Sequence, residues 1–253
     1  MDNTIKIVGA GAGDPELITV KGMNALKEAD VVIYAGSLVN PALLDYCKED
    51  CVIYDSAGMN LDEVIDVIRE AYPEGKKIVR LHTGDPSIYG AIREQMDRFD
   101  ELGFDYTVIP GVSSFCAAAA ALKKEYVLPE VSQTVILTRM EGRTPVPAKE
   151  DIRELAKINA TMIIFLSVHM IEEVVERLLE GYSEDTPCAV VYKASWPEEK
   201  KVVGTLADIA EKVHAAEIGR TALITVGRFL GDEYALSKLY DRHFTHGYRE
   251  AKD

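Results

Sequence analysis

The chain has 253 residues, with 28 Lys plus Arg against 42 Asp plus Glu, a formal net charge of −14. This balance argues against a sequence-independent nucleic-acid binder and a basic membrane-surface protein, both of which need a positive face. It leaves open an acidic small molecule held in one local positive pocket. With 47% hydrophobic residues, the chain can bury a core without disulfide or metal staples, as one large domain or two small ones.

Apolar runs and helical periods alternate along the first half. Ile5–Val8 reads as a buried strand ending in a glycine loop, and 19–28 as a helix with Val20, Met23 and Leu26 on one side. Val31–Tyr34 is the next strand, followed by a helix near Pro41–Cys47 with proline in its first turn. Cys51–Tyr54 is a third strand, and 61–71 a helix with Leu61, Val64, Ile65 and Ile68 in one stripe. Lys77–Leu81, a helix through Leu102, and Tyr106–Ile109 complete the series. Such alternation predicts βαβ units and a mostly parallel sheet covered on both faces.

Pro110-Gly111 breaks the rhythm, and an alanine-rich helix follows over 115–122. Strands then follow at 133–138 and 161–166, a helix at 170–179, and strands at 188–192 and 201–206 joined through Trp196-Pro197 as an antiparallel hairpin. A helix over 207–215 and a strand at 222–226 close this second, mixed α/β series. The expected division is residues 1–112, 113–231 and a polar, aromatic-dotted tail at 232–253. Cys47, Cys51, Cys116 and Cys188 are scattered thiols, and the first two lack a second Cys/His pair for zinc. No apolar run approaches the ~20 residues that span a bilayer. The N-terminal stretch shows no signal-like apolar segment, so the expected location is cytoplasmic.

Gly9-Ala10-Gly11-Ala12-Gly13 sits where a dinucleotide-binding protein carries G-x-G-x-x-G, but Asp14 occupies the third glycine position. The second strand ends in Tyr34-Ala35-Gly36, without a carboxylate for a ribose hydroxyl. Neither a Rossmann dehydrogenase nor a P-loop protein is indicated.

The continuation through Asp14-Pro15-Glu16-Leu17-Ile18-Thr19 resembles the opening of the tetrapyrrole methylase family. His82-Thr83-Gly84-Asp85-Pro86 resembles that family's Gly-Asp-Pro loop, and Pro110-Gly111-Val112-Ser113-Ser114 its interdomain segment. Ser56-Ala57-Gly58-Met59, the stretch 134–147, and Lys193-Ala194-Ser195-Trp196-Pro197 are similar to the branch that methylates carbon 11 of a corrin precursor. The resemblance implies two α/β domains in a homodimer, S-adenosylmethionine (SAM) in the cleft between domains, and a trough for a tetrapyrrole. The uroporphyrinogen branch carries an Asp and a Lys where this chain has Ala35 and Ser56. The base assignment therefore stays open.

Carried over position by position, the cofactor candidates are Ala12, Thr83, Gly84, Asp85, Ile88, Ser113, Ser114, Leu166, Ala194 and Ala222. Ala12 stands where the family usually has proline. Asp85 is expected to accept from the cofactor's ammonium or ribose, and otherwise to be a turn-forming Asp before proline. Leu166 and Ala194 are expected as apolar walls for adenine, and otherwise as core residues. An acidic protein that binds a polycarboxylate needs local sign reversal. The candidates for that are Arg139 and Arg143, beside a glycine turn at a strand end, and Lys193. His82 and Tyr89 are the catalytic candidates, His82 as a proton carrier or carboxylate partner and Tyr89 over the ring. No metal of the enzyme's own is expected. Competing readings are a diphthine synthase on the same fold and a SAM-binding module without chemistry.

Overall fold

The computed structural model describes residues 4–252. Contacts divide the chain into two units. The first runs to Ala117 and includes Lys193–Glu199, and the second comprises Ala118–Tyr192 and the chain from Lys200 onward.

The first unit holds β1 (Ile5–Gly9), β2 (Val31–Tyr34), β3 (Val52–Asp55), β4 (Ile78–His82) and β5 (Tyr106–Ile109), with α1 (Val20–Glu28), α2 (Leu61–Ala71) and α3 (Arg93–Leu102). The strands form one parallel sheet in the order β3-β2-β4-β1-β5. Strand alternation sends Val8, Val32, Val79 and Leu81 to one face, where they pack with Leu26 of α1. Ile7, Ile33 and Ile78 go to the other face, against Ile65 and Ile68 of α2 and Phe99 of α3. Asn60 starts α2 with a reciprocal capping box to Glu63, and Thr19 caps α1 through the Gly22 N–H. The connections leaving the neighbouring strands β1 and β4 therefore run over opposite faces. That arrangement opens a crevice at their carboxyl ends, where open α/β sheets place ligands.

The second unit holds β6 (Val135–Arg139), β7 (Thr161–Phe165), β8 (Pro187–Tyr192), β9 (Lys200–Thr205) and β10 (Ala222–Val226), with α5 (Ile152–Ala156), α6 (Ile171–Leu178) and α7 (Ile209–Ala215). Its sheet order is β6-β7-β10-β8-β9, with only β6 and β7 parallel. Met162, Ile164, Val190 and Ile224 meet Val174, Leu178 and Val213 in its core. The antiparallel hairpin expected from the sequence is present as β8 and β9.

Four features differ from the sequence expectation. β3 is exposed at all four positions, because it is the sheet edge rather than a covered interior strand. The Pro41 stretch is a 3-10 turn, Pro41–Tyr46, rather than an α-helix. The contact division falls inside α4 (Ser114–Leu122), not before it, since this helix runs unbroken through Ala117. The hairpin loop Lys193–Glu199 joins the first unit through long-range contacts that no local pattern announces. Among the described residues, no helix is long and apolar enough to cross a membrane.

Candidate functional site

Three loops meet at the carboxyl ends of β1, β4 and β5. Gly11 and Gly84 pair as an antiparallel bridge, Gly11 N donating to the Gly84 carbonyl at 3.2 Å and Gly84 N to the Gly11 carbonyl at 2.8 Å. Ala10 N donates to the His82 carbonyl at 2.7 Å. A Cβ on Gly111 would lie 2.1 Å from the Gly84 carbonyl oxygen and 2.8 Å from Gly9 Cα, so only glycine lets the third loop approach this closely.

Asp85 ties the junction together. Its Oδ2 accepts from Gly111 N at 2.9 Å, and its Oδ1 accepts from Ser87 N at 2.9 Å and from the Ser87 hydroxyl. Burial pushes this carboxyl up, but the Ser87 hydroxyl and the Gly111 and Ser87 N–H groups outweigh it, and the net shift is downward. Oδ1 thus serves the local turn and Oδ2 the loop after β5. Ser113 is buried and Ser114 begins α4 beside it; Thr83, Ile88 and Asp85 are half-buried around Gly84.

Residues 193–199 close over the glycine loop within the same unit. Trp196 Nε1 donates to the Ala12 carbonyl at 3.2 Å, Asp14 N donates to Ser195 Oγ at 3.0 Å, and Asn40 Nδ2 donates to the Gly13 carbonyl at 2.8 Å. Ala12 and Ala194 are buried. Lys193, expected at a substrate carboxylate, pairs with Glu198 at 3.0 Å and lies 5.0 Å from the centre of the Trp196 ring. The first unit therefore gathers Ala12, Thr83, Gly84, Asp85, Ile88, Ser113, Ser114 and Ala194 on adjoining loops.

Beside this junction, on the α2/α3 face, lies a cavity of about 360 Å³ lined by both catalytic candidates, His82 and Tyr89, and by Ala35, Ser56 and Arg80. His82 is buried, and its Nε2 has no hydrogen-bond partner. Burial, reinforced by Arg80, pushes the imidazole down to about 3. It is therefore neutral at physiological pH and a weak proton acceptor. Tyr89 is exposed at the rim with φ 56, and Ala91 follows with φ 48, left-handed conformations that cost non-glycine residues ~1–3 kcal/mol each.

Arg139, Arg143, Leu166 and Ala222 belong to the second unit. Arg139 ends β6 opposite Phe165 of β7, and Leu166 follows directly, exposed and with φ 57. It is not the buried strand residue that its apolar neighbours would suggest. Met140 N donates to Ser167 Oγ at 2.9 Å, fastening the two strand ends together. The antiparallel register of β10 brings Ala222 to this same end of the sheet. The Arg139 guanidinium, expected to face a substrate carboxylate, donates instead to the carbonyls of Met140 (3.2 Å), Thr144 (3.2 Å) and Pro145 (2.9 Å) of its own loop. Arg143 is exposed at the tip of that loop.

Two residues escaped the sequence reading. Arg177 pins the 140–151 loop through Glu141 (3.0 Å) and Asp151 (2.8 Å), and pairs within α6 with Glu173 (2.6 Å). Arg80 sits in the cavity wall, and the available signal was a charged residue inside the apolar strand Ile78-Val79-Arg80-Leu81.

Residues 4–210 match the profile of the tetrapyrrole (corrin/porphyrin) methylases. A curated cobalt-precorrin-4 C(11)-methyltransferase of Methanocaldococcus jannaschii is 62% identical over 255 residues, covering 99% of this chain and 98% of that one. A precorrin-4 C(11)-methyltransferase of Pseudomonas aeruginosa is 45% identical, covering 97% and 98%. The X-ray structure of a cobalamin-biosynthetic cobalt-precorrin-4 methyltransferase superposes with a TM-score of 0.89 at 46% identity, over 91% of this chain and 97% of that one. A uroporphyrin-III C-methyl transferase of Thermus thermophilus, crystallised with S-adenyl homocysteine, gives a TM-score of 0.75 at 27% identity, over 90% and 93%. The chain belongs to the tetrapyrrole (corrin/porphyrin) methylase family.

Proposed function

We propose that the chain is a SAM-dependent methyltransferase that methylates carbon 11 of precorrin-4 or cobalt-precorrin-4 during corrin-ring assembly. The observation that carries this reading is the junction of the loops after β1, β4 and β5, set beside the cavity that His82 and Tyr89 line. SAM, when bound, supplies an electrophilic methyl group. The residues present fit it. The glycines that let the three loops pack together leave a cradle of small residues, and Ser113 adds a buried hydroxyl. Gly84, Ser113, Ser114 and Ala194 hold the cofactor in this reading, while Asp85 holds the loop that presents them.

The chain contributes position rather than proton chemistry. Holding two reactants in line accounts for about 7–11 kcal/mol of such a barrier. His82, neutral and desolvated, orients a polar group instead of removing a proton. The acceptor ring supplies its own electron push through a pyrrole nitrogen. The enzyme works as a homodimer in the cytoplasm; the exposed, apolar Val52, Ile53 and Tyr54 on the β3 edge support pairing with a second copy, and sedimentation should then give about twice 27.9 kDa. The free thiols of all four cysteines suit a reducing compartment.

Mass spectrometry of the products formed from SAM with each precursor, metal-free and cobalt-containing, tests the reading. One added methyl at carbon 11 is the expected result. Binding of SAM without turnover of either precursor overturns it.

A further inference from the structure

Arg80 lies in the middle of β4, between Val79 and Leu81, both 1% exposed or less. It is itself 7% exposed, and burial pushes its guanidinium down to about 10. Nε donates to Gln95 Oε1 at 3.1 Å and Nη1 to the Ile33 carbonyl at 3.1 Å. Both acceptors are neutral. Among the described residues, no carboxylate comes within ion-pair distance of Arg80, and Nη2 makes no hydrogen bond. A buried charge is ordinarily paired, because desolvation otherwise goes uncompensated. A chain with 42 acidic residues had partners to spare. If Arg80 were only filling space, an apolar side chain would do so at lower cost.

Alternation along β4 puts His82, two residues on, on the same face. His82 is 5% exposed, and its Nε2 is a buried polar atom without a hydrogen-bond partner. Both side chains line the α2/α3-face cavity. Its other polar walls include Ser56, Asn60 and Thr83, which are neutral, and the one carboxylate in its lining is that of Glu94, which is exposed. The cavity is at the small end of ligand pockets, sized for a substituent and not for a macrocycle.

We propose that Arg80, with His82 beside it, seats one peripheral carboxylate of the tetrapyrrole in this cavity, and so fixes the rotational register of the ring. The inference rests on the proposed function above. The cation is desolvated before the ligand arrives, so an incoming carboxylate meets a preorganised donor.

The test titrates uroporphyrin, an octacarboxylic tetrapyrrole, by its fluorescence, and S-adenosylhomocysteine by calorimetry, into the parent, Arg80→Gln and Gln95→Glu. The second variant places a carboxylate against Arg80 Nε and competes with the ligand. Both variants should lose uroporphyrin affinity roughly ten- to a hundredfold, the cost of a charge-assisted bond, while keeping that for S-adenosylhomocysteine. A parent that binds the homocysteine but not uroporphyrin overturns both this inference and the reading beneath it. Equal uroporphyrin binding by parent and variants overturns the inference alone. If neither variant binds S-adenosylhomocysteine, a crystal structure of the parent with uroporphyrin decides: a carboxylate on Arg80 supports the proposal, and none within hydrogen-bond distance ends it.

Discussion

The indole of Trp196 occupies the space that a side chain on Gly13 would need. A Cβ built on Gly13 would lie 2.0 Å from Trp196 Cδ1 and Nε1, and Gly13 has φ +152. The same indole donates to the carbonyl of the preceding Ala12. The glycine loop thus takes its shape from a packing partner as well as from its own backbone.

Gly13→Ala should therefore be destabilising through both clash and strain, by at least ~1–3 kcal/mol. Trp196→Phe should cost less, ~0.5–1.5 kcal/mol, for the lost hydrogen bond. Chemical denaturation followed by far-UV circular dichroism measures both. If Gly13→Ala unfolds like the parent, the indole does not constrain the loop in solution.

Asp85 should reveal itself as a loop fastener. Asp85→Ala removes the acceptor for Gly111 N and Ser87 and should cost ~1–3 kcal/mol. Its folded pKa is depressed below 3.8. The contribution is accordingly full at neutral pH and disappears as pH falls through the folded value. Acid titrations of stability should show a shallower loss below about pH 4 in the variant than in the parent. Any weakening of SAM binding should track the loss of loop stability, and a large affinity loss in a fully stable variant would make Asp85 a direct ligand.

The two arginines beyond β6 should behave differently. Arg139→Ala leaves three carbonyls of the 140–145 loop without their donor, and Arg139→Lys cannot span them. Both variants should increase amide hydrogen exchange in that loop. Arg143→Ala should leave exchange unchanged and raise the tetrapyrrole KM only a few-fold, roughly two to five, as expected for an exposed charge. The difference from the parent should narrow as salt rises. An unchanged KM at low salt would remove Arg143 from substrate binding.

His82 should govern a pH dependence of stability rather than of turnover. Its imidazole titrates near 6.5 when unfolded and at about 3 in the folded chain. Between those values the unfolded chain binds more protons, so stability falls as pH drops from about 6.5 toward 3. His82→Leu should flatten this slope in urea titrations at several pH values. Turnover in the parent should show no histidine inflection near pH 6.5, and a clear inflection that vanishes in His82→Leu would restore the imidazole as a proton carrier.

The sequence reads well where burial is two-sided. Val31–Tyr34 is a continuous apolar run, and Ile78–Leu81 is apolar but for Arg80, because helices cover both faces of β2 and β4. Val52–Asp55 has a similar composition but lies on the edge, and position within a sheet leaves no local trace. The loops of the candidate site were legible from their glycines and prolines, which punctuate strand ends. The roles within them were not. Nothing near Arg139 indicates that Thr144 and Pro145 fold back to accept its protons. Nothing near Gly13 points to Trp196. Arg80 was visible as a misplaced charge, but its lack of a carboxylate partner exists only in three dimensions.

The closure of the glycine loop by Ser195 and Trp196 has a consequence for the order in which the protein is made. Asp14 and Ser195 are 181 positions apart, and Ala12 and Trp196 are 184. On the ribosome, β1 through β5 can emerge and pair while the loop after β1 still lacks its clasp. The nascent N-terminal half therefore carries an unfinished cradle until most of the chain has been synthesised. Cofactor affinity should appear late in translation, arriving with residues 193–199, Ala194 among them, rather than with the loops after β1, β4 and β5.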